Sequence, residues 1–171
     1  MGCLLVNGIV GVCQYSTSGA ERLWVANKSL VTGVTYNSGG ELTGITFSSG
    51  GAWYEIESAL DTITFSDDLV VNGARRNFLQ TINFALGSID DTILTDLETI
   101  GLSNMVAIVK GADGQYRGFG LKGSGLRATV MTDASGTAAG NDANVAATIA
   151  GSSTGKASFL ASALPGTLGL V

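Results

Sequence analysis

Apolar and polar residues alternate along most of this chain with a two-residue period, which is typical of β-strands that bury one face. Ile45 and Phe47 share one face of a strand predicted over 42–47. Val145, Ala147 and Ile149 share one face of a last long strand. Further strands are predicted over 22–26, 30–36, 126–131 and 156–160. Short Gly-, Ser- and Asn-containing turns separate the strands, so the pattern indicates a mainly β fold, an antiparallel sandwich or barrel.

The stretch 41–68 predicts a meander of exposed hairpins, with one Ser-Gly-Gly turn just before it and a second inside it. After the second turn, three side chains face one way: Trp53, Glu55 and Glu57. Tyr54 and Ile56 face the other way, and residues 61–65 alternate again.

The stretch 70–86 predicts one long strand with a bend at Asn72-Gly73. Its apolar side chains fall on one face, on which Gln80 is the interruption. We therefore expect the apolar part of this strand to face the core.

One segment has a helical period instead, which predicts a single flanking α-helix over about 90–101. Its apolar residues recur at the spacing of one helix face and form a predicted core stripe: Ile93, Leu94, Leu97 and Ile100. Asp90 or Asp91 can cap the helix, and Gly101 can end it. A hairpin is predicted next, with strands over 105–109 and 116–121 and an Asp-Gly turn between them.

The composition favours one domain over residues 1–171 with a neutral surface. Charged residues make up 13% of the chain, about half the usual share, so much of the surface is neutral or covered by partners. The 25 glycines and single proline suit tight turns between strands. The hairpin region over about 41–68 belongs to this domain, and the short apolar tail 161–171 has no predicted place.

The net charge of −5 argues against binding to DNA through neutralised phosphates. The chain has no histidine, which removes the commonest acid–base and metal-binding side chain. Cys3 and Cys13 are interpreted as two buried thiols, although a disulfide between them stays open. The apolar N-terminus lacks a preceding basic residue and is broken by glycines, so a strand is expected there and no membrane partner.

Two glycine-rich segments come close to phosphate-binding motifs. Gly118–Gly123 spells G-x-G-x-x-G, but no strand–turn–helix unit surrounds it. The segment 150–157 resembles a P-loop but has Ala157 where a magnesium ligand belongs. Glu55 and Glu57 could form a glycosidase pair, but nothing marks a sugar cleft. We therefore predict no enzyme activity and no catalytic, cofactor-binding or metal-binding residue.

Six acidic residues and no Lys or Arg occur between positions 41 and 68. These residues are Glu41, Glu55, Glu57, Asp61, Asp67 and Asp68. One interpretation is a solvated face, and the other is a negative surface that lines a channel for a polyanion. On the second interpretation, the candidate lumen-facing acids are Glu55, Glu57, Asp61, Asp67 and Asp68.

The order of several short segments between Cys3 and Ile149 resembles tail structural proteins of bacteriophages that infect Bacteroidetes-type hosts, and more generally the tail tube family. These segments are Cys3-Leu4-Leu5, Gly8-Ile9, Cys13, Leu23-Trp24-Val25-Ala26-Asn27, Val34-Thr35-Tyr36, Gly40–Thr46, Val106–Val109, Gly114-Gln115-Tyr116, Gly120-Leu121, Gly125-Leu126 and Thr132–Gly140.

The resemblance implies a small antiparallel β-sandwich or barrel of the tail-tube type with one flanking helix. It implies that a hairpin of each subunit joins its neighbours' hairpins in a ring-shaped sheet around a lumen, and that the rings, usually hexamers, stack into a tube that conducts DNA. The implied partners are copies of the chain, other tail or connector proteins, and DNA that passes without specific binding. The implied location is the virion tail, assembled in the cytoplasm of the bacterial host. The family offers no cofactor and no catalytic residue.

Two alternatives stay open. A ring or adaptor protein at the head–tail joint belongs to the same class of virion structural proteins. A β-sandwich module that binds carbohydrate or a host surface belongs to another class. Assembly separates these classes, because a tube protein should form rings or tubes whereas a binding module should stay monomeric or trimeric.

Overall fold

The computed structural model describes residues 19–56, 62–86, 99, 102–134, 144–161, 168 and 170. In these ranges the chain is mainly β, as the alternation predicts. The strands are β1 (Ala20–Asn27), β2 (Val31–Tyr36), β3 (Leu42–Phe47), β4 (Tyr54–Ile56), β5 (Thr64–Asn72), β6 (Arg75–Leu86), β7 (Met105–Gly111), β8 (Tyr116–Phe119), β9 (Arg127–Ala134), β10 (Asn144–Ser153) and β11 (Ser158–Phe159). A single turn of 3₁₀ helix, Lys28–Leu30, joins β1 to β2.

The strands form three sheets with antiparallel pairing. The central sheet has the order β11-β8-β7-β1-β4, and the open sheet has the order β5-β6-β10-β9. Strands β2 and β3 pair with each other as a cover hairpin. The sandwich interpretation is confirmed, and no barrel closes within the described ranges.

The main core lies between the central sheet and the open sheet. Leu23 and Val109 contribute from the central sheet, and Ile82, Phe84 and Ile149 contribute from the open sheet. Each of these side chains is almost fully buried. The predicted apolar face of the last long strand therefore packs into this core.

A second core lies on the other face of the central sheet, beneath the cover hairpin. Trp24 and Ile108 point into it and pack with Leu42 of β3. Burial on both faces explains why β7 is a continuous apolar run rather than an alternating one. Leu168 and the fully buried Leu170 also pack into the second core, which places these two residues of the C-terminal tail.

The single long strand expected over 70–86 is wrong, because the chain reverses there. β5 and β6 form a hairpin in which Asn72 pairs with Arg75 across a two-residue turn. Gly73 has φ +61, a conformation that glycine adopts without steric cost. The expected bend at Asn72-Gly73 is therefore a complete turn.

The meander expected over 41–68 is also wrong. β3 pairs with β2, β4 pairs with β1, and β5 pairs with β6, so the strands of this stretch belong to three different sheets. Alternation predicts which residues share a face, but it carries no information on which strands become neighbours.

The predicted helix over 90–101 falls almost wholly outside the described residues. Thr99 and Leu102 are helical, and the Leu102 side chain is 91% exposed. The predicted stripe of Ile93, Leu94, Leu97 and Ile100 lies outside the described residues and stays a prediction, as do Cys3 and Cys13. No described helix is long and apolar enough to cross a membrane.

The two phosphate-motif look-alikes form turns that pack against each other. Gly120 has φ +72 at the end of β8, and no helix follows it. The segment 150–157 ends β10 and turns into β11. Thr154 donates its backbone N–H to the Lys122 carbonyl at 2.9 Å, which joins the two turns. Both segments are turns, as their context indicates.

Tyr36 provides a test of the second core. Its hydroxyl is buried without a hydrogen-bond partner among the described residues, and burial raises the pKa of Tyr36 above 10.0. We expect Tyr36→Phe to leave the free energy of unfolding at pH 7 unchanged or raise it by up to about 1 kcal/mol, since an unsatisfied hydroxyl is removed. Urea denaturation measures this difference.

The same variant has a pH signature. Unfolded tyrosine ionises near 10.0, whereas folded Tyr36 keeps its proton to higher pH. The folded state therefore loses stability relative to the unfolded state as the pH rises above this value through the folded pKa of Tyr36. Tyr36→Phe should lose less stability than the parent protein between pH 7 and about pH 10.5. An identical loss in both proteins would show that the hydroxyl is not buried.

Candidate assembly interface

The outer half of the β5–β6 hairpin exposes large apolar side chains. We call residues 69–79 the arm. Leu69 is 53% exposed, Val70 46%, Val71 58% and Leu79 40%. Because successive strand residues face opposite sides, both faces of the arm are apolar and exposed. Exposed apolar surface of this kind is typical of an interaction site.

The open sheet has two edges without a partner strand in the described part of the chain. β5 pairs only with β6, and β9 pairs only with β10. Val130 is 55% exposed and Met131 38% exposed on β9. An unpaired edge that carries apolar side chains invites pairing with another chain.

The outer face of the open sheet, which points away from the main core, carries hydroxyl and amide groups. The Thr148 hydroxyl donates to Asn83 Oδ1 at 2.7 Å, and Asn83 Nδ2 donates to the Thr64 hydroxyl at 3.2 Å. Asp68 lies on the same face and accepts a hydrogen bond from the Ser66 hydroxyl at 2.8 Å. The result is a flat polar surface with few charges near β6 and β10.

The structure does not bring the candidate lumen-facing acids together. Glu55 lies on edge strand β4 of the central sheet and forms a 3.7 Å ion pair with Arg22. Asp68 lies on the outer face of the open sheet, whereas Asp67 points to the inner side of β5. Glu57 and Asp61 lie outside the described residues. The three described acids therefore occupy three different surfaces.

Trp53, which was expected to share a face with Glu55, packs against Phe47 of the cover hairpin. The two ring centroids are 5.5 Å apart in an edge-on arrangement. Trp53 can therefore lie close to the exposed carboxylate of Glu55, because Phe47 of β3 covers its ring.

A cleft of about 310 Å³ opens between the β5 edge of the open sheet and the β8–β11 edge of the central sheet. Its lining combines aromatic rings with charged groups, chiefly Phe65, Asp67, Arg117, Phe119, Lys156 and Phe159. Sequence reasoning missed the cleft, because its residues come from three distant segments. Only the pairing of the strands brings them together.

Arg117 is held in place by three neighbours in and near this cleft. Its guanidinium lies over the Phe65 ring at 5.1 Å and over the Phe159 ring at 4.7 Å. It also forms a 3.6 Å ion pair with Asp113. The cation is therefore already engaged with aromatic faces and a carboxylate.

The two carboxylate oxygens of Asp67 have different surroundings. Oδ2 accepts the backbone N–H of Ala157 at 2.6 Å. Oδ1 is buried and has no hydrogen-bond donor among the described residues. A buried carboxylate oxygen without a donor is uncommon in native proteins, and it marks this side of the sandwich as a site that a partner could complete.

Gln80 positions the loops on the same side of the sandwich. Its side chain is 1% exposed, and its Oε1 accepts the Gly120 N–H at 2.8 Å. Its Nε2 donates to the Gly155 carbonyl at 3.5 Å. The residue that interrupts the apolar face of β6 is thus the polar link between the two sheets.

No family model, curated protein or solved structure matches this chain.

Proposed function

We propose that this protein is a structural subunit of a virion tail tube, which assembles with copies of itself into stacked rings around a lumen that conducts DNA. The observation that carries the proposal is the open sheet. Within the described ranges it has an unpaired edge on each side, and the arm on one of these edges exposes apolar side chains on both faces.

The strand directions allow the open sheet to continue from one copy to the next. β5, β6, β10 and β9 alternate in direction, because each neighbouring pair is antiparallel. β9 of one copy placed beside β5 of the next therefore keeps the antiparallel order. Such a head-to-tail contact closes into a ring when the rotation between copies permits it, and a closed ring has no exposed edges.

In this arrangement the outer face of the open sheet lines the lumen, because its inner face is covered by the central sheet. Of the candidate acids that the structure describes, Asp68 is on this face. In a ring Asp68 recurs once per subunit, and the circle of carboxylates repels DNA phosphates over a screening length of about 8 Å at physiological salt. The side chains of Thr64, Thr148 and Asn83 on this face are neutral, whereas Arg75 places one cation near the arm tip.

The low charge content supports the same proposal. Charged residues are 13% of the chain, which suits a subunit whose surface is largely covered by its copies. The resemblance to tail tube proteins adds the expectation that the rings stack.

Negative-stain microscopy combined with native mass spectrometry of the purified full chain tests the proposal. We expect rings of one order and stacks of these rings. A protein that stays monomeric at all accessible concentrations would contradict the proposal. Single rings without stacks would favour the head–tail adaptor instead.

The edge of β5 is open to a direct test. We expect Val70→Asp to weaken self-association about tenfold or more, since a charge on an edge strand opposes pairing with another chain. The free energy of unfolding of the monomer should change by less than about 0.5 kcal/mol, because Val70 is half exposed. Sedimentation and urea denaturation measure the two quantities.

Tyr54→Asp is the matched control for Val70→Asp. Tyr54 is 57% exposed on β4, the edge of the central sheet, which the proposed ring does not use. This variant should associate like the parent protein. Equal weakening by the two substitutions would show that the contact is not specific to the open sheet.

The carbohydrate-binding module is the second candidate, and the cleft is the observation that favours it. Phe159 is 39% exposed and lines the cleft together with Asp67, and aromatic faces combined with carboxylates can bind sugars. A monomer that binds glycans on an array, and loses this binding with Phe159→Ala, would establish that function instead.

A further inference from the structure

We propose that the cleft beside Asp67 receives the tip of the arm from a second copy of this chain, with the Arg76 guanidinium forming an ion pair with the partly exposed Asp67 carboxylate. The proposal rests on the self-assembly proposed above and names a contact between copies in stacked rings, because within one ring the β5 edge meets β9 of the neighbouring copy. The contact is a charge-assisted hydrogen bond inside a partly apolar recess.

Among the residues that the structure describes, none donates a hydrogen bond to Asp67 Oδ1. Arg117 and Lys156 line the cleft, but neither forms an ion pair with Asp67. Arg117 is engaged by Asp113 and by two phenyl rings. A cation from outside the chain would therefore meet a carboxylate that has no ion-pair partner among the described residues.

The arm tip carries the complementary groups. Arg76 and Val71 are directly paired across the hairpin, on the same side of the ladder as Asp67. Both are exposed, and Arg76 has no acidic partner in the described part of the chain. The tip thus presents a guanidinium beside an apolar side chain, whereas the cleft is lined by a carboxylate, Asp67, and by the partly exposed ring of Phe159.

The arm of the same copy cannot supply this contact. Asp67 and Val71 are four residues apart on one strand, which separates their Cα atoms by about 13 Å. The β5–β6 pairing continues without a break from Thr64–Asn83 to Asn72–Arg75, so the arm is held away from its own cleft. A second copy has no such restriction, because its arm can approach from outside.

Two conservative substitutions test the contact in the full chain. We expect Asp67→Asn and Arg76→Gln each to weaken self-association about tenfold or more, as measured by sedimentation equilibrium. The double variant should be no weaker than the weaker single variant, because the second substitution removes a contact already lost. Asp67→Asn should melt at the same temperature as the parent monomer or higher, since the amide replaces an unsatisfied charge.

Neighbouring residues on the opposite face provide matched controls. Asp68 and Arg75 carry the same charges one position away, but they point to the outer face of the open sheet. Asp68→Asn and Arg75→Gln should associate within about twofold of the parent protein. Equal losses in these controls would mean that overall charge governs association, which would overturn the specific contact.

Other outcomes separate this contact from the proposed function. If the parent protein forms rings and both Asp67→Asn and Arg76→Gln associate normally, the contact is wrong and the ring proposal stands. If the losses multiply in the double variant, the two residues act separately and the contact is again wrong. If the parent protein does not associate, both proposals fail. If Asp67→Asn does not fold, the exposed Arg76→Gln decides the question alone.

Discussion

Replacing Gln80 with leucine should lower the free energy of unfolding by about 1–3 kcal/mol, although leucine is of similar size and more apolar. The Gln80 amide is the described partner of the buried Gly120 N–H and also donates to the Gly155 carbonyl. Leucine leaves the Gly120 N–H without this hydrogen bond, and the loss costs about 1–3 kcal/mol because the group is shielded from water. The Gly155 carbonyl still accepts a hydrogen bond from the Ser153 hydroxyl at 2.7 Å. Urea denaturation of the parent protein and the variant measures the difference.

Gln115→Leu is the control, because Gln115 is exposed in the turn between β7 and β8. The same chemical change should alter stability there by less than about 0.5 kcal/mol. If Gln80→Leu also lowers the free energy of unfolding by less than about 0.5 kcal/mol, water forms the hydrogen bonds of the two loops in its place. Gln80 then does not link the sheets.

Gly151→Ala should destabilise the protein by about 3 kcal/mol, near the upper end of the usual cost of overpacking. A Cβ on Gly151 would overlap the backbone carbonyl oxygen of Gly125 and would press on the Leu126 Cα at 3.2 Å. These atoms belong to backbone, so no side chain can rotate away. The strand and the loop would have to separate instead.

Gly33→Ala is the matched control on β2. A Cβ there would meet only the Thr46 side chain at 3.7 Å, an ordinary contact distance. We expect the free energy of unfolding to change by less than about 1 kcal/mol. Alanine also restricts the unfolded chain, which favours the folded state. Thermal unfolding compares the two variants, and equal losses would contradict the close backbone crossing at Gly151.

Much of the fold was predictable because strand periodicity is a local signal. The 105–119 hairpin combines β-branched residues with an Asp-Gly turn, and the structure confirms it as β7 and β8. The face of β10 that carries Val145 and Ile149 is buried as predicted. In both cases the residues that determine the outcome are within a few positions of one another.

The strand pairings were harder to predict from the sequence, because they depend on residues that are far apart along the chain. β1 pairs with β7 and β6 pairs with β10, and no short sequence motif indicates either pairing. At Asn72-Gly73 the turn signal is present, but alternation continues on both sides of it, so a bend and a reversal have the same pattern. The β5–β6 hairpin follows only from the completed sheet.

The cleft could not be predicted from the sequence for the same reason. Alternation within β5 places Phe65 and Asp67 on one face, but it does not indicate that Arg117 and Phe159 face them. The candidate lumen acids show the converse error. Glu55, Asp67 and Asp68 are grouped in the sequence, yet they belong to two sheets and point to three surfaces.

Continuation of the open sheet across copies is the central claim, and disulfide cross-linking tests it most directly. In a background with Cys3→Ser and Cys13→Ser, one cysteine is placed on the outer face of β5 and one on β9. The β5 positions are Ser66, Asp68 or Val70, and the β9 positions are Val130 or Thr132. Each chain carries both cysteines, and single-cysteine chains serve as controls.

We predict that at least one pair gives, after mild oxidation, a ladder of covalent oligomers in a non-reducing gel that ends at the ring order. The single-cysteine chains should give almost no dimer, because β5 meets β9 and not another β5. Efficient dimers from a β5 cysteine alone would indicate a two-fold contact between like edges, and the absence of cross-links for every pair would place the interface elsewhere. Either result would contradict a ring built through the open sheet.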